Sequence, residues 1–407
     1  MSLITTYSNF GIATAIHSGS GTRAMVPDLF RGLGAKRIIL FSDKGLEKAG
    51  IVDKVAEIFH LTPNGTGPEL VGIFTDIEQD AGSQSVNNAL RFARERGADG
   101  LLAVGGGSVL DTVKGVKFAL HSGLTDIKEA IPGGLSYFAW PEAQPIPIPH
   151  VAVPTTAGTG SEVSPIAVIY NEERRVKTNI IHPFISSNMA VLDPDLTTGL
   201  PPSITAFTGF DALTHAIEAL ASPTATGFTD AFALQSIRMF EENIAETVNN
   251  GSNLKARMNM LQASTMGITA FSLALNAIPV HNLAHAYGAL FRIPHGLANA
   301  VFLPHVLELV PDLYAGKIWL LAQALNVEAK DLSTAEQLAA VVAKIRSLQE
   351  EVGLPKDFSD FDIPEDSLEL TIRAVQSDPA AMNFPLPAEL ITEIGRRVAS
   401  LQVPQAT

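Results

Sequence analysis

The chain has 407 residues, no cysteine and a formal net charge of −14, with a pI near 5.1. That length can bury two substantial cores, so two domains are expected. An acidic balance without a Lys/Arg cluster excludes nucleic acid and anionic membrane as main partners. The lack of cysteine excludes disulfides, thiol nucleophiles and thiolate-bound zinc.

The first residues, MSLITTYSNFGIATAIHSGSG, have neither a basic stretch nor an unbroken apolar run, and AFSLALNAIPV is too short to span a bilayer. A cytoplasmic protein is therefore expected. Up to about residue 193, short β-branched runs alternate with amphipathic stretches. The runs are KRIILFS (36–42), ELVGIF (69–74), GLLAV (100–104), HVAVP (150–154), IAVIY (166–170) and MAVLD (189–193), and helical periodicity fills 22–33, 83–96 and 108–120. Strands alternating with helices predict a parallel sheet covered on both faces.

Two glycine-rich turns in this part suit a phosphate. In GLLAVGGGSVLD a strand runs into Gly105, Gly106, Gly107 and Ser108 and then into a helix, whose free N–H groups and dipole favour an anion. A rival, Gly19 to Ala24, matches G-x-G-x-x-A and is followed about 20 residues on by Asp43 at a strand end. Its preceding strand, TAIHS, is short and polar, so the 105–108 loop is preferred for a pyrophosphate. Under either reading Asp43 can accept from an adenosine ribose, and its charge would repel a 2′-phosphate, favouring NAD over NADP. PTTAGTGSEVSP (154–165) follows another apolar strand, and its dense hydroxyls suit a loop that embraces a ligand.

After DPDLTTGLPPS (193–203) long Ala-, Leu- and Glu-rich stretches predict an all-helical domain. The expected division is 1–195, a dinucleotide-binding α/β domain, and 196–407, a helical metal-binding domain, with the tail after Leu401 frayed. Four of the ten histidines fall between 281 and 305. GFDALTHAIEAL sets Asp211 and His215 four residues apart, and HNLAHAYG sets His281 and His285 likewise, so each pair shares one helix face. With His295 these make one carboxylate and several imidazoles, a set suited to Fe(II) or Zn(II) rather than Ca(II) or Mg(II). Asn282 stands where a zincin H-E-x-x-H carries its general base, which excludes metalloprotease chemistry.

GGGSVLD, PTTAGTGSEVSP, LDPDLT, GFDALTHAIEA and HNLAHAYG…PHGLANA together resemble the iron-containing (group III) alcohol dehydrogenases, relatives of lactaldehyde reductase and 1,3-propanediol dehydrogenase. The resemblance runs from about residue 10 to 395. It implies an N-terminal Rossmann-like parallel sheet and an all-α C-terminal domain, the two-domain plan also found in dehydroquinate synthase. It implies Asp211, His215, His281 and His295 as ligands of Fe(II), with Zn(II) possible, and His285 as the catalytic residue that helps move the substrate's proton. Cofactor contacts are implied for Gly105, Gly106, Gly107, Ser108, Asp111, Thr155, Thr156, Thr159, Ser161, Val163 and Lys177, with NAD(H) preferred to NADP(H).

The activity so implied is NAD-dependent interconversion of a small primary alcohol or diol with its aldehyde, in a homodimer or larger homo-oligomer, with glycerol or polyol dehydrogenation as the alternative. A lyase of the dehydroquinate synthase kind needs cations for a polyanionic substrate, and 281–299 offers only Arg292. A non-catalytic metal or nucleotide binder would need no open cleft. Three segments depart from the family pattern. EQDAG (78–82) replaces an asparagine–proline cofactor contact. FSLALNAIPVH is one residue longer than usual between Phe and His. Ile166 stands where some diol-using relatives carry a polar residue, which points to a less polar substrate.

Overall fold

A computed structural model of the protein describes residues 9–61, 67–132, 134–399 and 401. The sequence readings of residues 1–8 and of the tail beyond Leu401 fall outside these residues. Six strands form one parallel sheet in the order β1–β9–β6–β4–β2–β3: β1 (Ala15–Ser18), β2 (Arg37–Phe41), β3 (Glu69–Phe74), β4 (Gly100–Gly105), β6 (His150–Pro154) and β9 (Met189–Leu192). Strand residues alternate between two buried layers. Ile39, Phe41, Leu101 and Ala103 pack under the helices α4 (Ser83–Glu95) and α5 (Gly107–Ser122), and Ile38, Leu40, Leu102 and Val104 pack under α1 (Val26–Gly32) and α3 (Ile51–His60). Burial on both faces is why the inner strands β2, β4, β6 and β9 read as continuous apolar runs, whereas the edge strand β1 is mostly exposed and polar. Between α1 and α3 lies the short α2 (Lys44–Lys48), capped by Asp43.

One expected member of this sheet lies elsewhere. IAVIY forms β7 (Ile166–Asn171), which pairs antiparallel with β8 (Val176–Ile181), and β8 pairs in turn with β5 (Leu135–Tyr137) in a separate three-stranded sheet. The polar turn EERR is too short to hold a crossover helix, so the next strand can only return antiparallel. The sequence reading missed β8 and β5 because VKTNII mixes Lys, Thr and Asn into an apolar run.

The rest of the chain is helical. Helices α6 (Pro202–Ala221), α7 (Gly227–Asn249) and α8 (Leu254–Leu273) pack on one another, and α9 (Pro279–Phe291) and α10 (His295–Leu309) complete the wall towards the cleft. Local chemistry sets the boundaries. Prolines open α6 and α9, Thr226 and Thr229 form a capping box on α7, and Asn253 caps α8 with bonds from two N–H groups. Arg292 ends α9 in the left-handed region (φ 58°), and Pro294 starts α10 directly after it. No described helix is long and apolar enough to cross a membrane.

The 154–165 loop joins the two parts. Glu162 accepts a hydrogen bond from Thr265 of α8 at 2.8 Å, and Gly160, at φ 56°, lies so close to α8 that a Cβ there would meet Ile268 and, at 2.8 Å, the Ser264 carbonyl. Gly160→Ala therefore combines a left-handed alanine with a clash against backbone. It is expected to destabilise the protein by about 2–4 kcal/mol, read as a lowered midpoint in thermal or denaturant unfolding.

Candidate active site

The two parts of the chain line one cavity of about 610 Å³. At its helical wall Asp211 and His215 stand on α6, His281 and His285 on α9, and His295 at the first position of α10. The tight Arg292–Pro294 turn folds α10 back on α9, which is how residues fourteen apart in sequence come to face each other. Asp211, His281 and His295 each bring one ligand atom within 4.8 Å of the others. The Nε2 atoms of His281 and His295 lie 3.7 and 3.5 Å from Asp211 Oδ1. His215 stands beside this trio with its ring stacked on that of His281 at 4.5 Å.

Residues that the spacing did not single out hold this cluster in place. Glu218, one turn beyond His215, accepts from His281 Nδ1 and, through its other oxygen, from the Val280 N–H at 2.7 Å. Holding the Nδ1 proton on Glu218 leaves Nε2 as the nitrogen that faces Asp211 and is available to a metal once its own proton leaves. Asn299 donates through Nδ2 to Asp211 Oδ1 at 2.6 Å and lies 3.3 and 3.2 Å from the two Nε2 atoms. Asp378 lies 3.4 Å from His285 Nδ1. Two of the three were legible as stripes: Glu218 is Asp211 plus seven and Asn299 is His295 plus four, each on the ligand's own helix face. Asp378 comes from a distant segment and carried no signal.

Burial alone would raise the Asp211 carboxyl, but the imidazoles of His215, His295 and His281 outweigh it and hold Asp211 well below the usual carboxylate range. Burial pushes His215 down to about 3 and His295 well below its ordinary value, against the pull of Asp211. His281 goes the other way: burial would lower it, and the carboxylates of Glu218 and Asp211 lift it to about 9. An ionised Asp211 beside neutral His215 and His295 is the protonation pattern a divalent metal requires, and a metal on His281 would have to displace the proton that Asp211 and Glu218 hold there. The Nδ1 atoms of His215 and His295 are buried without a hydrogen-bond partner. The donor set thus fits a borderline metal by nitrogen and oxygen content, protonation and second-layer support.

Opposite this wall the cavity is lined by Gly107, Ser108, Asp111, Thr159, Ser161 and Lys177. The start of α5 and the 154–165 loop nest together here. A Cβ on Gly107 would meet Thr159 Cγ2 at 2.6 Å, so glycine is needed for loop packing as well as for any approach by phosphate. Asp111 accepts from Ser161 Oγ at 2.6 Å and pairs with the buried Lys114 at 3.0 Å. Lys177 pairs with Asp80 at 3.1 Å, and Asp80, the aspartate of EQDAG, has its N–H on Ser108 Oγ.

Six expected cofactor residues do not line the cavity. Gly105, Gly106 and Thr156 form its supporting layer, Thr155 extends the β4–β6 ladder through its N–H to Gly105 O at 3.0 Å, and Val163 is buried in the helical core. Asp43 lies at the carboxyl end of β2, the neighbour of β4, and one of its oxygens accepts the Leu46 N–H at 2.9 Å. The rival loop is closed to phosphate by the chain itself. Asp193 accepts from the N–H groups of Gly21 and Arg23 and pairs with the Arg23 guanidinium at 2.7 Å.

The family model for iron-containing alcohol dehydrogenase matches residues 13–194, and that for the Fe-containing alcohol dehydrogenase family, C-terminal, matches 205–393. The chain belongs to the iron-containing alcohol dehydrogenase family. It is 34% identical over 365 residues to long-chain-alcohol dehydrogenase 1 of Geobacillus thermodenitrificans, covering 89% of each chain. To 1,3-propanediol dehydrogenase of Klebsiella pneumoniae it is 37% identical over 354 residues, 85% of this chain and 87% of that one. The crystal structure of a 1,3-propanediol oxidoreductase superposes with a TM-score of 0.86 at 33% identity, over 96% of this chain and 99% of the other. As a member of this family the protein is an oxidoreductase of alcohols and aldehydes that uses a metal and a nicotinamide cofactor.

Glu218 gives the site its first test. Glu218→Gln keeps an acceptor for His281 but loses the charge, and is expected to weaken metal binding by about 10- to 100-fold with the fold retained. Metal titration of the two proteins at one pH, with circular dichroism as the folding check, measures this.

Proposed function

We propose that the protein interconverts small primary alcohols or diols and their aldehydes with NAD(H), holding one Fe(II), or Zn(II) in its place, on Asp211, His215, His281 and His295. The observation that carries this reading is the convergence of Asp211, His281 and His295 within 4.8 Å on the wall of the same cleft that Gly107 and Ser108 line at the start of α5. The metal supplies a Lewis acid for the alcohol oxygen, and NAD supplies the acceptor for the hydride leaving the carbinol carbon.

The protein's own groups do the positioning. Glu218 fixes the His281 tautomer, and Asn299 holds one oxygen of Asp211. His285 reaches the same cavity one turn beyond His281 and takes the proton of the hydroxyl, its ring oriented by Asp378. The first turn of α5, with Gly105 to Gly107 and Ser108, receives the pyrophosphate. Asp111, Thr159 and Ser161 line the groove beside it, Thr155, Thr156 and Val163 support that lining from behind, and Lys177 reaches the ribose. Asp43, at the carboxyl end of β2 and capping α2 through one oxygen, takes the adenosine ribose and disfavours the 2′-phosphate of NADP(H).

The reading extends to a cytoplasmic homodimer or larger homo-oligomer. The domain division at 195/196 is supported by the end of the sheet at Leu192 and the start of α6 at Pro202. Polyol dehydrogenation is the competing reading. The named relatives include both a long-chain-alcohol and a 1,3-propanediol dehydrogenase, so kinship leaves the tail of the substrate open.

His281→Ala should lose bound metal and activity together, whereas His285→Ala should keep metal and NAD while turnover falls by about 100-fold. Metal analysis beside NAD titration separates the two. Metal kept in the first and lost in the second would reverse their roles. Asp43→Gly should raise KM for NAD and improve relative use of NADP, and steady-state kinetics with both cofactors would show an unchanged ratio if Asp43 is not at the ribose.

A further inference from the structure

The three-stranded sheet has two unlike faces. Ala167, Ile169 and Ile180 point into the N-terminal core, and the alternate residues line the cleft. Register sorts that cleft face into rungs. Lys177 stands opposite Tyr170, Asn179 lies between Leu135 and Val168, and Ile181 lies between Tyr137 and Ile166. Alternate residues of a strand are about 6.7 Å apart, so β8 passes from a charge, through one amide, to an isoleucine flanked by Ile166 and the Tyr137 ring over about 13 Å.

The charged end of this gradient lies at the catalytic side of the cavity. A Cβ on Gly288 of α9 would stand 3.8 Å from Lys177 Nζ, and Lys177 is neutralised by Asp80. Around the same cavity the helical part contributes Phe271, Leu275 and Ile278, and Met382 stands exposed at its rim with Tyr137. Phe271 packs its ring 4.8 and 4.7 Å from those of His215 and His281, so the apolar lining begins at the ligand cluster itself. In the lobe beside Ile166, Ile181 and Phe271 the sheet offers the Asn179 amide one rung away and the Tyr137 phenol at the exposed rim, and the helical part adds Asn276 and Asn383 elsewhere on the cavity wall. A second hydroxyl laid against Ile166, Ile181 and Phe271 would lose water without a partner among those three side chains.

We propose that this lobe is a tail subsite, and that the preferred substrates are primary alcohols and aldehydes with an unbranched hydrophobic chain of several carbons rather than short polyols. The oxygen end sits at the Asp211–His281–His295 cluster and the tail lies along the Asn179 and Ile181 rungs toward Tyr137 and Met382. This assignment rests on the dehydrogenase reading above. Each methylene laid on the lobe raises kcat/KM by about threefold or more.

The test is NAD-dependent oxidation of ethanol, 1-butanol, 1-hexanol, 1-octanol and glycerol by the metal-loaded protein, by Ile181→Asn and by Ile166→Ala, each checked for its melting temperature. A rise in kcat/KM from ethanol to octanol, with glycerol below butanol, is expected. In Ile181→Asn the octanol-to-ethanol ratio should fall at least tenfold. Should that variant not fold, the smaller drop in Ile166→Ala carries the same comparison. A flat or falling series in the wild type overturns the tail subsite while leaving the dehydrogenase reading intact, as does a rising series that a folded variant leaves unchanged. Turnover of none of these alcohols, nor of their aldehydes with NADH, overturns the dehydrogenase reading itself and the subsite with it.

Discussion

Asp211 is a carboxylate on the interior of a helix with 2% of its surface exposed, and the helical half of the protein is arranged around compensating it. A buried charge without partners would cost several kcal/mol or would protonate. Here it is met by an amide from α10 and by imidazoles from α6, α9 and α10, so three helices must keep a fixed mutual position. The sharp turn at Arg292–Pro294 and the Glu218 link between α6 and α9 set that position. Asp211 is thus a structural demand on the bundle, whatever it binds.

The second constraint is the contact between the two halves. Their docking relies on a loop that carries no regular structure, held by Glu162 on Thr265 and by the close approach of Gly160 to α8. The same loop presents Thr159 and Ser161 to the cleft and leans on the start of α5 through Gly107. One loop therefore touches both the start of α5 and α8, the two walls of the cleft. A buried lysine reinforces this: Lys114 pairs with Asp111 and donates to the Ser164 and Ile166 carbonyls, tying α5 to the first residue of β7. The cleft-facing sheet inherits its position from that tie.

Much of this was legible in the sequence. Helix periodicity put Asp211 with His215 and His281 with His285 on shared faces, and strand runs that are apolar throughout announced a sheet buried on both sides. The glycine-rich turn after β4 was likewise readable, because a strand, glycines and a helix start form one local unit. Local spacing could not reveal which G-x-G turn stays open to phosphate, since Asp193 reaches Gly21 from 172 residues away. Nor could it show that IAVIY leaves the main sheet, because an alternating pattern specifies two faces and not the neighbour with which the strand pairs.

What the sequence determined by itself is the chemistry available: the ligand types, the absence of thiols, the fold class and the local units that present each group. Tertiary structure decided which groups meet. It brought His295 of α10 against Asp211, set Asp378 beside His285 from 93 residues away, and turned the apolar rung of β8 toward the cleft. The physical reason is range. Periodicity, capping and turn chemistry act over a few residues, whereas the positions of α6, α9 and α10 and of the small sheet follow from how whole elements pack, a property no short window of sequence contains.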